Sequence, residues 1–324
     1  MRAVVLTGAD PETSRPDELD GLQQAREVEA ALVRLGYEAE TRHVTLDLRV
    51  LERLRADTLA VNLVEALRGD GRLIHLVPAV LEAAGVPFTG ASARALWLTT
   101  DKIVTKELLR AAGLPTPVWS RDGAGLAGAS PVIVKSVCED ASFGLDAGSV
   151  VAAAEAAALI AMKRHRHGGD WFAETFVDGR ELNLSILEIG GAPRVLPVAE
   201  IDFSAFDAKR PKIVGYGAKW VADSLDYVQT QRRFVDPAGG DKSLLETLRA
   251  LALAAWDILG LSGYGRVDFR VDATGAPFIL EVNANPCLSS DAGFMAAASR
   301  DGLTLDAVMR QLVDGALEAR SSAA

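Results

Sequence analysis

Between Tyr264 and Asn283 the chain reads as two strands folded back on each other. "YGRVDFRVD" and "PFILEVN" both alternate in polarity, and Ala273 to Ala276, with its Thr-Gly pair, supplies a turn. Successive side chains of a strand point to opposite faces, so "FILEVN" puts Phe278, Leu280 and Val282 on one side and Ile279, Glu281 and Asn283 on the other. Pairing Asp272 with Pro277 sets Val271 against Phe278, Phe269 against Leu280 and Val267 against Val282, which makes one face wholly apolar. The other face then carries Asp268 opposite Glu281 and Arg266 opposite Asn283. Like charges directly opposed destabilise a ladder by a few tenths to about 1 kcal/mol. A cation between them reverses that sign, and carboxylate and amide oxygens are hard ligands suited to magnesium. A solvated hairpin face, with Arg266 and Arg270 offsetting the acids, is the alternative that this segment alone leaves open.

Upstream, "AVVLTG" reads as a buried strand, Leu22 to Leu35 has helical apolar spacing closed by Gly36, and "AVNLV" is a further strand before a helix ending near Gly85. That alternation signals a parallel βαβ sheet. Thr99 or Thr100 is expected to cap a helix from Asp101 to Ala112, which Gly113 stops, and Pro115 and Pro117 keep the chain extended after it. Next come a strand "PVIVKSV", a loop "EDASFGLDAGS", an Ala-rich helix, and a strand "WFAETFV" that turns at Asp178 and Gly179. "ELNLSILEI" and "PRVLPVAEI" read as a hairpin on Gly190 and Gly191, Ser243 to Leu259 as a long helix, and "LDAVMRQLVDGAL" as a closing one. The fold class is therefore α/β combined with α+β. The expected division is an N-terminal α/β domain at 1–99, a small central domain at 100–179 and a C-terminal domain at 180–324.

A chain of 324 residues suits two or three domains, and 49% hydrophobic with 24% charged residues is globular. The net charge of -10, with no Lys/Arg block beyond the short "KRHRH" at Lys163 to His167, argues against a nucleic-acid partner. That basic run suits the C-terminal end of a helix. Cys138 and Cys287 are too few and too far apart for a disulfide framework or a metal-ligand spacing. The start "MRAVVLTGAD" has an apolar run too short for a signal peptide, and no stretch is long enough to span a bilayer. A cytoplasmic protein with no membrane partner is expected.

Beyond the hairpin, Lys135 ends a strand just before a loop holding Ser142, Gly144 and Gly148, whose backbone N–H groups could wrap a phosphate. Lys102 sits just inside a helix, Glu174 ends a strand and Glu181 follows a turn. Together these supply cations for phosphates, acceptors for an amine and a ribose, and oxygens for magnesium. No GxxxxGK[ST] motif occurs, and the one GxGxxG, "GAGLAG" at Gly123 to Gly128, runs into a strand where the dinucleotide fingerprint needs a helix.

The segments "TTDKIVTKELLRAAGLPTP", "PVIVKSVCEDASFGL", "ETFVDGREL", "YGAKW", "GRVDF" and "ILEVNANP" resemble the ATP-grasp superfamily, and within it the D-alanine–D-alanine ligase-like enzymes, from about Val86 to Met295. The resemblance implies an ATP-grasp fold with ATP held between the last two domains. By the family's pattern Lys102 and Lys135 would hold the nucleotide phosphates, and Ser142 would lie in the loop closing over them. Glu174 would accept from the adenine amino group, the Phe176–Val177 backbone would form the adenine edge, and Glu181 would bind ribose. Asp268, Glu281 and Asn283 would be the ligands of Mg2+, with Mn2+ able to substitute. Arg266 would stabilise the transferring phosphoryl group and the oxyanion, and Lys219 would reach the γ-phosphate. The implied partners are ATP with a small-molecule carboxylate and amine, and a homodimer is allowed for.

Departures from the family fall on the substrate side. Cys287 stands where those ligases carry a glycine, Ala292 where they use a serine for the second substrate's carboxylate, and Trp220 replaces the tyrosine after the family's lysine. Their His-Gly…Glu-Asp-Gly loop appears here as "NLVEALRGDGRLIH", and Glu12 is the only stand-in found for their N-terminal substrate ligand. With the serine gone, the site is expected either to take a second substrate that lacks a free α-carboxylate at that position or to use a different anchor such as Ser289, Ser290 or Asp291. The implied activity is ATP-dependent carboxylate–amine ligation through an acyl phosphate. A true D-alanine–D-alanine ligase and a catalytically inactive ATP-binding module are the alternatives.

Overall fold

The structure is a computed structural model that describes every residue except 13–15, 56, 127, 129–130, 140–141, 208–209, 221–223 and 324. Its first sheet is parallel, in the order β2 (Glu38–His43), β1 (Arg2–Thr7), β3 (Thr58–Asn62), β4 (Phe88–Thr89). Strand alternation splits the apolar residues between two layers. Ala3, Val5, Leu59 and Val61 meet Ala25, Val28, Ala31 and Leu32 of α1 (Pro16–Arg34), whereas Val4, Leu6 and Ala60 meet Val77 and Leu81 of α2 (Leu76–Ala83). The parallel βαβ reading of the sequence holds. Strand β2, "EAETRH", is a polar edge strand with no apolar signature to read.

The next two helices correct one expectation. Thr99 and Thr100 do not cap anything; they end α3 (Ala93–Thr100), where their hydroxyls donate to Ala95 O at 2.9 Å and Leu96 O at 2.8 Å. Buried threonines satisfy themselves in this way on the preceding turn. Asp101 is the cap of α4 (Lys102–Ala111), accepting from the N–H groups of Ile103 at 2.9 Å and Val104 at 3.0 Å. Leu96 and Leu98 of α3 and Leu109 of α4 enter one core with Leu184, Val267, Phe269 and Ile279, so the expected boundary near Thr100 passes between two helices that share a core.

The central sheet is antiparallel, in the order β5 (Trp119–Ser120), β8 (Trp171–Thr175), β6 (Val132–Ser136), β7 (Val150–Val151). Its helix α5 (Ala156–His167) lays Ala156 and Ile160 on Val132, Val134, Trp171 and Ala173, and ends on the basic run as expected. The Ser142 loop crosses this sheet closely. A Cβ on Gly144, whose φ is +64°, would stand 2.7 Å from the Trp171 ring.

The C-terminal sheet is built on β9 (Gly179–Ile189). One edge of β9 carries both β10 (Ala192–Val195) and β11 (Ala199–Asp202), so "PRVLPVAEI" is two strands where one was expected. The break contains Pro197, which has no N–H to give a ladder. Helices α6 (Tyr216–Trp220) and α7 (Leu225–Gln229) then lead to the edge strand β12 (Gln231–Phe234), which pairs with β11. After α8 (Lys242–Leu259), strand β13 (Tyr264–Asp272) pairs with β9 on one side and β14 (Pro277–Asn283) on the other. Helices α9 (Gly293–Arg300) and α10 (Leu305–Ala323) complete the chain, and α10 packs Val308, Met309, Leu312 and Val313 into the core under β1 and β3. Among the described residues no helix is long and apolar enough to cross a membrane.

The β13–β14 register is as expected at its site end and shifted at its turn end. Arg266 faces Asn283, Val267 faces Val282 and Asp268 faces Glu281; beyond a bulge, Phe269 faces Ile279 and Val271 faces Pro277. The pairings of Asp272 with Pro277 and of Phe269 with Leu280 are therefore wrong by one residue. Leu280 is the residue left over, and it lines the cleft while Ile279 enters the core. The outer edge of β14 is engaged at this point: Ile279 N–H donates to Pro115 O at 2.8 Å, and Ile279 O accepts from the Thr116 hydroxyl at 2.9 Å.

Candidate active site

A cavity of about 880 Å³ opens among the three sheets. Lys102, Lys135, Ser142, Glu174, Phe176, Val177, Glu181, Lys219, Arg266, Asp268, Glu281 and Asn283 all line it, although they come from α4, β6, β8, β9, α6, β13, β14 and the intervening loops. Glu12 is exposed and does not line it; Glu18, Asp20 and Glu65 do. Residues 140–141 of the Ser142 loop and the Trp220 side chain lie outside the described residues.

At the acidic end, Arg266 grips Asp268 with two hydrogen bonds of 2.8 Å and stands 4.0 Å from Glu281. Asn183, directly across β9 from Asp268, adds a 2.8 Å bond to the same carboxylate. Burial alone would push Glu281 up, but Lys102 at 3.9 Å, with the charges of Lys219, Lys135 and Arg266, outweighs it and holds the carboxyl at about 2. Asn283 Oδ1 accepts from Asn285 N–H at 2.8 Å. Among the described residues no three His, Cys, Asp or Glu side chains form a closed metal cage. The donor set is instead two carboxylates and one amide oxygen with a cation already between the acids, and these hard oxygens fit a magnesium ion shared with phosphate.

The cationic wall is built from two directions. Asp101 starts α4 so that Lys102 is its first residue, with Nζ donating to Glu139 O at 3.0 Å. One turn on, Lys106 is fully buried, 2.6 Å from Glu174, and donates to the Thr116 hydroxyl at 2.8 Å. Lys135 reaches the other oxygen of Glu174 at 2.6 Å. Burial raises the Glu174 pKa, but the two lysines more than reverse it, so the group is an ionised carboxylate shared by two cations. An adenine amine would have to compete with those ion pairs for it. Lys106 was not singled out in the sequence; its signal is the i, i+4 spacing from Lys102, which places both on one helix face.

The segment between β8 and β9 carries further contacts. Phe176 N–H donates to Pro131 O at 2.8 Å, and Val177 O accepts from Arg270 at 2.9 Å. What these two residues can still offer a nucleobase is the peptide between them, whose C=O and N–H point opposite ways. Arg270 also holds Glu181 at 3.1 Å, and burial raises the Glu181 pKa against that attraction. Ser142 has φ +62° and donates to Val214 O at 2.7 Å, tying its loop to the segment that leads into α6.

On the far side, Cys287 does not take a positive φ, so a side chain is accommodated there without backbone strain. Its thiol, pushed up by burial, donates to Asp20 at 3.2 Å. The Ser289 hydroxyl donates to the same carboxylate at 3.0 Å, and Ser290 gives Glu27 both its N–H at 2.8 Å and its hydroxyl at 3.1 Å. Both serines expected to be free as substrate anchors are thus committed to α1, and Asp291 has the wrong sign to hold a carboxylate.

Comparison with known proteins follows this geometry. A family model described as the D-ala D-ala ligase C-terminus matches residues 127–314. An uncharacterized protein of Sinorhizobium fredii is 34% identical over 242 residues, 74% of this chain and 68% of its own length. The D-alanine–D-alanine ligase of Cupriavidus necator is 31% identical over 247 residues, 74% of this chain and 71% of its own. Among solved structures, the D-alanine–D-alanine ligase of Bacillus anthracis complexed with ATP superimposes with a TM-score of 0.76 at 21% identity, covering all of both chains. That of Coxiella burnetii gives 0.71 at 17% identity, covering 100% of this chain and 97% of its own.

Proposed function

Since the chain belongs to the D-alanine–D-alanine ligase family, we propose that it is an ATP-dependent carboxylate–amine ligase that forms an amide bond through an acyl phosphate. Its fold is the ATP-grasp fold expected from the motifs. The observation that supports the site assignment is the convergence on one cavity of residues from the central and C-terminal sheets and from α4 and α6, with the acids at one end and the lysines along the wall.

In this reading Lys102 and Lys135 hold the ATP phosphates, Lys219 meets the γ-phosphate, and Glu181 takes the ribose. Asp268, Glu281 and Asn283 would hold magnesium, which when bound neutralises the charge gathering on the transferred phosphoryl group. A substrate carboxylate oxygen bonds to the γ-phosphorus as the bond to the β-phosphate oxygen breaks. The amine then attacks the acyl carbon, phosphate leaves, and the amine gives up a proton. Arg266 is pinned by its two bonds to Asp268, so its charge is already oriented before the oxyanion forms. The Ser142 loop, tied to Val214, closes the site against water, which would otherwise hydrolyse the intermediate. A cytoplasmic setting belongs to the same proposal; Cys138 and Cys287 are both free thiols.

The deciding experiment measures phosphate release from ATP and magnesium with pools of amino acids and other carboxylates. Release that depends on one pool is the expected result, and release indifferent to every pool would leave only an ATP-binding module. ATP is expected to outperform GTP in kcat/KM by roughly tenfold or more, because a guanine carbonyl facing Glu174 or the Phe176 carbonyl leaves a buried acceptor unpaired at roughly 1–3 kcal/mol. Equal use of the two nucleotides would remove Glu174 and Phe176 from the adenine site.

The substrate is proposed to differ from that of a cell-wall D-alanine–D-alanine ligase. Cys287 fills space beside the reacting centre and Ala292 has no hydroxyl for the acceptor's carboxylate. With saturating D-alanine and ATP, dipeptide synthesis is expected to stay well below the roughly 10⁴ M⁻¹s⁻¹ that marks an enzyme on its own substrate. Reaching that value would overturn the distinction.

A further inference from the structure

Arg266, Asp268 and Arg270 share the cavity face of β13, alternating with Val267, Phe269 and Val271, which enter the core. Arg270 is only 3% exposed, and the β9–β13 pairing sets it opposite Glu181. Its guanidinium is divided between two groups: Nε donates to Val177 O at 2.9 Å, and Nη1 donates to Glu181 Oε2 at 3.1 Å. Nη2 is buried and has no hydrogen-bond partner among the described residues. The rings of Phe176 and Phe203, with centroids 5.5 Å and 5.7 Å from Cζ, take up part of its charge and fix the plane of the group.

Arg270 meets its acid differently from other arginines of the same sheet. Arg266 grips Asp268, and Arg180 grips Glu200, each through Nε and a terminal nitrogen on separate oxygens at 2.8 Å. Two parallel bonds of that kind are the strong form of the pair. Arg270 instead turns its Nε to a main-chain carbonyl and gives Glu181 a single bond. Among the described residues nothing else bonds to Glu181, so one of its oxygens is held and the other is open to the cavity. A pair serving stability alone would close on both oxygens. This one keeps a carboxylate half engaged, next to the peptide assigned to the base edge.

We propose that Arg270 is a positioning residue for nucleotide recognition: it aims the open oxygen of Glu181 at one ribose hydroxyl and, through Val177 O, ties that contact to the base edge. Arg270 is then what makes this chain discriminate ribonucleotides from deoxyribonucleotides. The proposal rests on the ligase reading, in which Glu181 takes the ribose and the Phe176–Val177 peptide the base. A carboxylate free to turn adapts to whichever sugar is present. One that is pinned cannot, and a missing hydroxyl leaves its second oxygen buried without a donor. A lysine ammonium is a point charge that cannot reproduce the planar bridge to both partners.

The test is titration calorimetry of ADP, 2′-deoxy-ADP and 3′-deoxy-ADP, each with magnesium, against wild type, Arg270→Lys and Arg270→Met. ADP has no γ-phosphate to transfer, so the readout does not depend on activity. Wild type is expected to bind at least one of the two deoxy nucleotides about tenfold or more weakly than ADP, as for a lost hydrogen bond to a charged group. In both variants that ratio is expected to fall below about threefold, with affinity for the deoxy nucleotide little changed. Arg270→Lys keeps a charge beside Glu181, so it gives the answer if Arg270→Met does not fold. Glu181→Ala should also abolish the ratio, and Arg270→Lys added to it should change the ratio no further. An Arg270→Lys ratio equal to that of wild type would overturn the proposal even if thermal stability falls, because a merely structural arginine leaves discrimination alone. Equal binding of all three nucleotides by wild type would overturn it too. Both of those results leave the ligase reading standing, whereas a wild type that binds no ADP would sink that reading and this proposal together.

Discussion

Replacing Glu281 with Gln is expected to lower ATP-dependent turnover by roughly 10²–10³ or more, since magnesium's stabilisation of the phosphoryl group amounts to several kcal/mol and each 1.36 kcal/mol is a factor of ten. The fold should persist, because the backbone pairing of Asp268 with Glu281 does not depend on the charge. From the opposed acids alone one would expect the variant to gain stability by relief of repulsion. The structure reverses that expectation. Glu281 stands among Lys102, Lys219, Lys135 and Arg266, which hold its carboxyl at about 2, so its charge is net stabilising. A carboxyl whose folded pKa lies below its unfolded value contributes stability above the unfolded value, near 4.3, and loses it as pH falls toward 2. Wild type should therefore lose on the order of 1–3 kcal/mol across that window that Glu281→Gln does not lose. Urea unfolding of both proteins between pH 5 and pH 2.5 measures it, and parallel curves would show that the lysines do not act on Glu281 as described.

The second large effect is expected at Lys106, which touches no proposed substrate. Removing one partner of a buried ion pair leaves a charge without compensation, at about 3–5 kcal/mol. Lys106→Met should cost toward the lower end of that range, because Lys135 remains 2.6 Å from the other oxygen of Glu174. The double variant Lys106→Met with Glu174→Gln should recover most of the loss, because the uncompensated carboxylate goes with it. Lys135 would then be released from its partner, so ATP affinity should change in the double variant even where stability is restored. Denaturant midpoints test the first pair of statements and nucleotide titration the last. A Lys106→Met protein as stable as wild type would mean that the triad contributes nothing to the fold.

How much of this was legible in the sequence depended on which signal each residue carried. The pairing of Asp268 with Glu281 could be read because period-2 alternation survives in both strands up to that point. The bulge at Leu280 could not, since it answers to Pro115 and Thr116, more than a hundred and fifty residues away, docking on the edge of β14. Strand β2 has no apolar pattern because an edge strand with one thinly covered face needs little. Asn183 and Arg270 looked like ordinary polar positions of a strand; their meaning comes from the residues that the β9–β13 pairing places opposite them, Asp268 and Glu181 respectively.

Helix α10 packs its apolar face against α1, β4 and β9, in one core with α9 and with Val5, Leu59 and Val61 of the first sheet. The first hundred residues leave the ribosome long before α10 is made, at about 5–20 residues per second. For that interval Val5, Leu59 and Val61 have α1 on one side of them and open apolar surface where Val308, Met309 and Leu312 will come to lie. The nascent chain therefore offers a chaperone a defined hydrophobic landing place, one that vanishes when the last helix docks. A ribosome stalled before residue 305 should hold a trapped, chaperone-bound N-terminal sheet.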